Sequence, residues 1–281
     1  MKKLIIAAFL TSAFLSITRA QQPAACPECR RCIAVYGDTR AGDEVHKKIA
    51  ALIKAAHPVA VFHDGDMVPK GKKAKAWENF KEITKELRAS ASFYAVMGNH
   101  EEGGEKFFAD LFHFPGNGRW YQAEVRGIRF IMLDYLLPLD KDSEQFIWLK
   151  DQLDAPAGKT KFTIIVMHKP LWSTGLHGHD EWKPAADLEK LFKEQKVDMV
   201  ISGHDHDYER LENGGLVQLV AGSGGAELRP QVFKSPYSKI FVKAFHYCLI
   251  SVCGNVLKTE AFDINNKLID SFEITAKTPE K

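Results

Sequence analysis

From residue 33 onward the chain alternates short runs of β-branched and other apolar residues with longer segments whose apolar positions recur at helical spacing. The runs at 33–36, 59–62, 93–97, 162–167, 197–202 and 216–221 are too short for helices and show no clean polar alternation, which is the pattern of strands covered on both faces. Between them the 3.6-residue period predicts helices at about 43–56, 76–88, 103–112, 143–153 and 185–195. Strand alternating with helix implies an α/β layered fold. Two sections break the alternation: 120–124 with 128–133, and the tail 247–252, 256–262 and 268–274. Turns such as Arg126-Gly127 and Gly254-Asn255 join them, so they read as antiparallel hairpins and the sheets as mixed.

The ends of the chain change the picture of where it works. Lys2 and Lys3, an apolar stretch from Leu4 to Ile17 and the small-x-small triplet Thr18-Arg19-Ala20 read as a secretory leader over 1–20; a retained anchor is the alternative. The leader holds Lys2, Lys3 and Arg19 and no acid, so the formal charge of +2 falls by three to −1 without it. That near-neutral balance gives no nucleic-acid footprint. No later segment is apolar enough to span a bilayer. Residues 21–31 form a cysteine-containing lead-in, and 32–281, without repeat or linker, one domain.

All five cysteines lie beyond the leader, three of them as Cys26, Cys29 and Cys32 in "CPECRRC". In an exported chain this predicts a local disulfide, with at least one thiol left over. Cys248 and Cys253 lie five apart in a predicted strand, which points them to opposite faces and argues against their pairing.

The candidate chemistry lies at the carboxyl ends of the strands. The first runs into Gly37-Asp38-Thr39-Arg40, the second into His63-Asp64-Gly65-Asp66, the third into Gly98-Asn99-His100-Glu101, the fourth into His168, and the fifth into Gly203-His204-Asp205-His206. In open α/β sheets the carboxyl edge is where sites are built, and a glycine lets the backbone present the next side chain closely. Singly, Gly-Asp is a turn and a histidine after a strand is a satisfied structural residue. Turns do not call for Asp, Asp, Asn, His, His and His in succession. Imidazole nitrogen with carboxylate and amide oxygen suits zinc, iron or manganese, and six donors exceed what one tetrahedral ion uses. Two ions sharing a carboxylate is the economical arrangement.

This ordered set, Asp38, Gly65-Asp66, Gly98-Asn99-His100-Glu101, His168 and Gly203-His204-Asp205-His206, resembles the motifs of the calcineurin-like metallophosphoesterases, with matching spacings of 28 and 33 residues from Asp38 to Asp66 to Asn99. "GNHE", "MHKPLW" and "GHDHDYER" are most similar to the purple acid phosphatase branch. The resemblance implies a four-layer fold, a mixed β-sheet sandwich flanked by helices, and two divalent or mixed-valence transition metal ions. Asp66 would bridge them, Asp38 and His206 would complete one site, and Asn99, His168 and His204 the other. His100 would sit beside the substrate phosphate, and Tyr208, Glu209 and Arg210 would support the loop.

Two departures stand out. Where most of the superfamily has a histidine two residues after the first aspartate, this chain has Arg40, which has no lone pair for a metal; where the purple branch has a tyrosine three residues after the bridging aspartate, it has Pro69. The first site is therefore one protein donor short. His46 is a candidate to fill the gap, against a place on a solvated helix face. For Arg40, clamping a substrate phosphate and pairing with an acid are equal readings. The segment 173–182, with His177 and His179, reads as a loop over the site or a polar surface loop. The implied activity is hydrolysis of small phosphate esters by an exported enzyme, periplasmic or secreted, a phosphatase ahead of a diesterase. The alternative is a secreted binding module with a weakened first metal site. A thiol-redox role for "CPEC" fits poorly, because that motif does not come after a strand.

Overall fold

The computed structural model describes residues 32–156, 158–178 and 182–277. The leader, the lead-in, Cys26, Cys29 and His179 lie outside them. In chain order the elements begin β1 (Ile33–Tyr36), α1 (Asp43–Ala55), β2 (Ala60–His63), α2 (Ala74–Ile83), α3 (Lys85–Ser90) and β3 (Ser92–Ala95). They continue with α4 (Glu105–Leu111), β4 (Tyr121–Val125), β5 (Ile128–Met132), α5 (Glu144–Asp154), β6 (Phe162–Val166) and α6 (Pro184–Glu194). The last third is β7 (Met199–Ser202), β8 (Tyr208–Asn213), β9 (Leu216–Ala221), β10 (Ser238–Val242), β11 (His246–Cys253), β12 (Val256–Asp263) and β13 (Leu268–Thr275).

The strands form two mixed sheets, one in the order β13-β12-β11-β1-β2-β3 and the other β10-β8-β9-β7-β6-β5-β4. In the first, β1, β2 and β3 run parallel; in the second, β5, β6, β7 and β9 do. Burial on both faces explains why these strands are mostly apolar along their length. Ile33, Val35, Ile164 and Val166 face the layer between the sheets, where Phe62 and Phe130 stack at 3.9 Å between ring centres. Their neighbours Ala34 and Tyr36 face Ile49 and Ile53 of α1, while Ile165 and Met167 face Phe146, Leu149 and Leu188 of α5 and α6. The result is a helix–sheet–sheet–helix sandwich, the expected four layers.

Two sequence expectations change. The helix expected at 76–88 is two, because the buried Thr84 hydroxyl bonds back to Phe80 O at 2.8 Å and breaks the run between α2 and α3. The strands β8 and β10 are additions to the expected set, and β8 is hidden in the hydrophobic pattern because Glu209, Arg210 and Glu212 give it charges. Tyr208 Oη and Arg210 Nε both donate to Asp270 Oδ2, at 2.7 and 2.8 Å, tying β8 of one sheet to β13 of the other.

Cys248 is a buried free thiol and Cys253 is in a disulfide, so the two do not pair; Cys32 is in a disulfide as well. Among the described residues no helix is long and apolar enough to cross a membrane.

Candidate metal centre

The carboxyl ends of β1, β2 and β3 meet those of β6 and β7 at one edge of the sandwich. Glycines at this edge make room for neighbouring ligands: a Cβ on Gly203 would lie 2.1 Å from Asp38 Oδ2, and one on Gly98 2.3 Å from Asp66 Oδ1. Asp38 (φ 49°), Asp66 (φ 55°) and His204 (φ 71°) hold left-handed backbone, a conformation that costs a non-glycine residue about 1–2 kcal/mol. Backbone bonds maintain it, among them Asp38 N to Gly65 O at 2.9 Å and Thr39 N to Asp66 O at 3.0 Å.

In one half of the site, His168 Nδ1 lies 2.9 Å from Asp64 O. A carbonyl only accepts, so Nδ1 carries a proton and Nε2 is the ring atom turned inward, the one that can give a lone pair to a metal. That Nε2 is 3.2 Å from Asn99 Oδ1 and 3.6 Å from Asp66 Oδ1, and Asn99 Oδ1 is 3.0 Å from His204 Nδ1. Burial pushes the His204 pKa far down, so it is held as a neutral imidazole. Acceptor atoms gathered face to face repel one another unless a cation lies among them. The donors of Asp66 and His168, with Asp38 reaching in from the other half, all lie within 4.8 Å of one another. These residues fit a transition-metal ion.

The other half is built differently. His206 Nδ1 bonds Glu227 O at 2.7 Å, which again leaves Nε2 as a lone pair, 3.4 Å from Asp38 Oδ1. Burial first, then Arg229, lowers the His206 pKa to about 4. The Asp38 carboxyl is pushed up, chiefly by burial. Arg40 reaches into this half. Its Nε donates to Asp66 Oδ2 at 3.1 Å and its Nη2 to His206 Nε2 at 3.3 Å, so its pairing with an acid is realised. The donor set of Asp38, Asp66 and His206 fits a metal poorly, because a guanidinium already takes two of its lone pairs. His46 does not complete it. It is buried, neither ligand nor solvated, with Nε2 3.3 Å from Tyr36 Oη and its ring against Phe80.

Around these ligands, His100 donates its backbone N–H to Asp66 Oδ1 at 2.9 Å; its ring bonds Pro69 O through Nδ1 and brings Nε2 to 3.8 Å from Asp66 Oδ2. Glu209 accepts from Thr174 N and Oγ1, holding the loop after β6, and His177 in that loop lies with its ring 4.3 Å from that of His204. Sequence reasoning assigns no role to Glu101 or Arg229. Buried Glu101 accepts from Asp66 N, Gly98 N and Val68 N at 2.8, 2.7 and 3.0 Å and so clamps the β2 and β3 loops together. Arg229, beyond the recognised motifs, reaches His177 Nε2 and donates its backbone N–H to His206 O. Only the "GNHE" context of Glu101 offers a signal; Arg229 has none.

A two-sheet α/β sandwich with imidazole, carboxylate and amide donors gathered on its shared strand edge has the architecture of a metallophosphoesterase. The model of the calcineurin-like phosphoesterase family matches residues 33–208, and the chain belongs to that family, on its purple acid phosphatase-like branch. Members of that branch use a binuclear metal centre. The chain is 31% identical over 173 residues to purple acid phosphatase 18 of Arabidopsis thaliana, a match covering 53% of this chain and 39% of the relative's length. Its fold is similar to that of purple acid phosphatase PPD1 from yellow lupin (Lupinus luteus) seeds, at a TM-score of 0.79 and 20% identity, over 87% of this chain and 53% of that one. It is also similar to Plasmodium GAP50, described as the anchor in the inner membrane complex, at a TM-score of 0.74 and 21% identity, over 88% of this chain and 89% of that one.

Proposed function

We propose that this chain is an exported metal-dependent phosphoric ester hydrolase, acting in the periplasm or outside the cell, with small phosphate monoesters ahead of diesters as substrates. The observation that carries the reading is the convergence of the ligand-type atoms Asp66 Oδ1, Asn99 Oδ1 and His168 Nε2, with His204 alongside. The leader-like first 20 residues support export, and the purple acid phosphatase relatives support monoesters.

Bound among those residues, zinc, iron or manganese would supply a water of lowered pKa and an electrophile for the phosphoryl oxygen. The chain's own groups set the rest. The carbonyls of Asp64 and Glu227 fix the tautomers of His168 and His206, and burial keeps His204 neutral. His100 Nδ1 is tied to Pro69 O, so Nε2 is the atom free to steady charge on a phosphate or hand a proton to the leaving alkoxide. Arg40 adds a fixed positive charge beside Asp66, and its Nη1, which makes no hydrogen bond among the described residues, is left for a substrate oxygen.

The test is turnover of p-nitrophenyl phosphate and bis-p-nitrophenyl phosphate by metal-free protein reconstituted separately with each of the three metals. Hydrolysis of the monoester that Asp66→Ala abolishes is expected; no turnover with any metal refutes the reading. A binding module with little turnover is the second reading, favoured by the guanidinium on Asp66 and His206. Metal and phosphate binding without hydrolysis would establish it.

A further inference from the structure

We infer that Arg40 is a built-in cation standing in place of the first of the family's two metal ions, so that this chain loads a single ion, at Asp66, Asn99, His168 and His204. The inference rests on the reading of that cluster as a metal centre and concerns how many ions it takes.

The guanidinium uses the atoms a first ion would need. His206 has one lone pair to give, because its other ring nitrogen donates to Glu227 O, and Arg40 Nη2 takes it at 3.3 Å. Arg40 Nε takes Asp66 Oδ2 at 3.1 Å, the carboxylate oxygen remote from the 3.6 Å approach of Asp66 Oδ1 to His168. Asp38 Oδ1, with no hydrogen bond of its own, is the remaining donor on that side, and one carboxylate oxygen makes a poor site alone.

The backbone directs Arg40 to this place. Thr39 N and Arg40 N both donate to Asp66 O, at 3.0 and 3.1 Å, and the chain then turns through left-handed Ala41 (φ 62°). Gly42 comes next, packed so closely that a Cβ there would lie 1.8 Å from Gly225 O. The root of the side chain is thus pinned beside its two partners, and the side chain is only 19% exposed.

A guanidinium does not give up its proton in a protein, so no accessible pH removes the charge. At an effective dielectric of about 20, a unit charge about 4 Å away weakens cation binding roughly 10³-fold for each charge on the ion. An ion entering this half must either bear that repulsion or expel a tethered competitor from two hydrogen bonds. The second half of the centre, reached through Asp66 Oδ1, does not meet the competitor.

The experiment loads the metal-free full-length protein with excess Zn(II) or Mn(II), removes unbound metal, and counts ions per chain by elemental analysis. The Mn(II) form is also read by electron paramagnetic resonance. One ion per chain, with a spectrum free of exchange coupling, is expected for the native protein. Arg40→Ala and Arg40→His should take up a second ion at least ~10²-fold more tightly than the native chain does, with a coupled Mn(II) signal, the figure being set below the full Coulomb factor because side chains rearrange. Two ions in the native protein overturn the inference and leave the metal centre standing; none overturns both. A single ion in the native chain and in both folded variants overturns the role of Arg40. Should the variants fail to fold, the native count and spectrum decide alone.

Discussion

Replacing Glu101 with alanine tests whether the centre depends on a clamp that touches no substrate. The Glu101 carboxyl group is fully buried, which pushes its pKa up to about 8, and it accepts three backbone N–H groups, from Asp66 at 2.8 Å, Gly98 at 2.7 Å and Val68 at 3.0 Å. Two of these donors belong to the loop that presents Asp66, and the third opens the turn that presents Asn99 and His100. Without the carboxylate all three N–H groups lose their partner inside the protein, at about 1–3 kcal/mol each. Water entering the vacated volume recovers part of that, so a loss of about 3–5 kcal/mol in unfolding free energy is expected. Decoupling the loops should also weaken metal binding by roughly 10–100-fold, the usual cost of losing a group that orients a ligand. Urea unfolding of the metal-free protein and metal titration of the folded variant read the two effects separately. Glu101→Gln is the control: one amide oxygen can still accept from both Asp66 N and Gly98 N, as Glu101 Oε2 does, so more than half of the stability should return. A loss under about 1 kcal/mol in Glu101→Ala would refute the clamp, since a single unsatisfied buried N–H already costs that much.

His100→Ala should lower kcat by roughly 10²–10³-fold through lost charge stabilisation, while elemental analysis shows unchanged metal content; loss of metal would make His100 a ligand instead. Burial lowers the His46 pKa from 6.5 to about 3, so below pH 6.5 the unfolded chain takes up the proton first and stability falls as pH drops toward 3. By linkage the loss at pH 5 is about 2 kcal/mol, and chemical denaturation at pH 7 and pH 5 should show it shrinking by that amount in His46→Leu. Asp270→Ala leaves Tyr208 Oη and Arg210 without their shared acceptor between the sheets, and a loss of about 2–4 kcal/mol is expected in denaturant titration, with metal content unchanged.

The sequence determined the layers and the set of polar residues at the strand ends for one reason: both are local. A strand covered on two faces is apolar at nearly every position, as Ile33–Tyr36 and, but for Thr163, Phe162–Val166 are, and a helix covered on one face repeats at 3.6, as Ile49, Ala50 and Ile53 do in α1. The residues after each strand end are fixed in place by that strand, so position alone brought Asp38, Asp66, Asn99, His168, His204 and His206 to one sheet edge, and the family resemblance singled them out as candidate ligands. Tertiary structure decided what lies far apart along the chain. Arg40 meets Asp66 across 26 residues and His206 across 166, and no local pattern says whether a guanidinium at a strand end turns toward solvent, a phosphate or two ligands. His46 reads as one face of an amphipathic helix, and only the packing of Tyr36 and Phe80 over it buries that face. β8 looks too polar for a strand because the partner of Tyr208 and Arg210, Asp270, comes from the other sheet some 60 residues later. Local propensity acts over a few residues, whereas the electrostatic partners of a side chain are chosen by the fold that brings distant segments together.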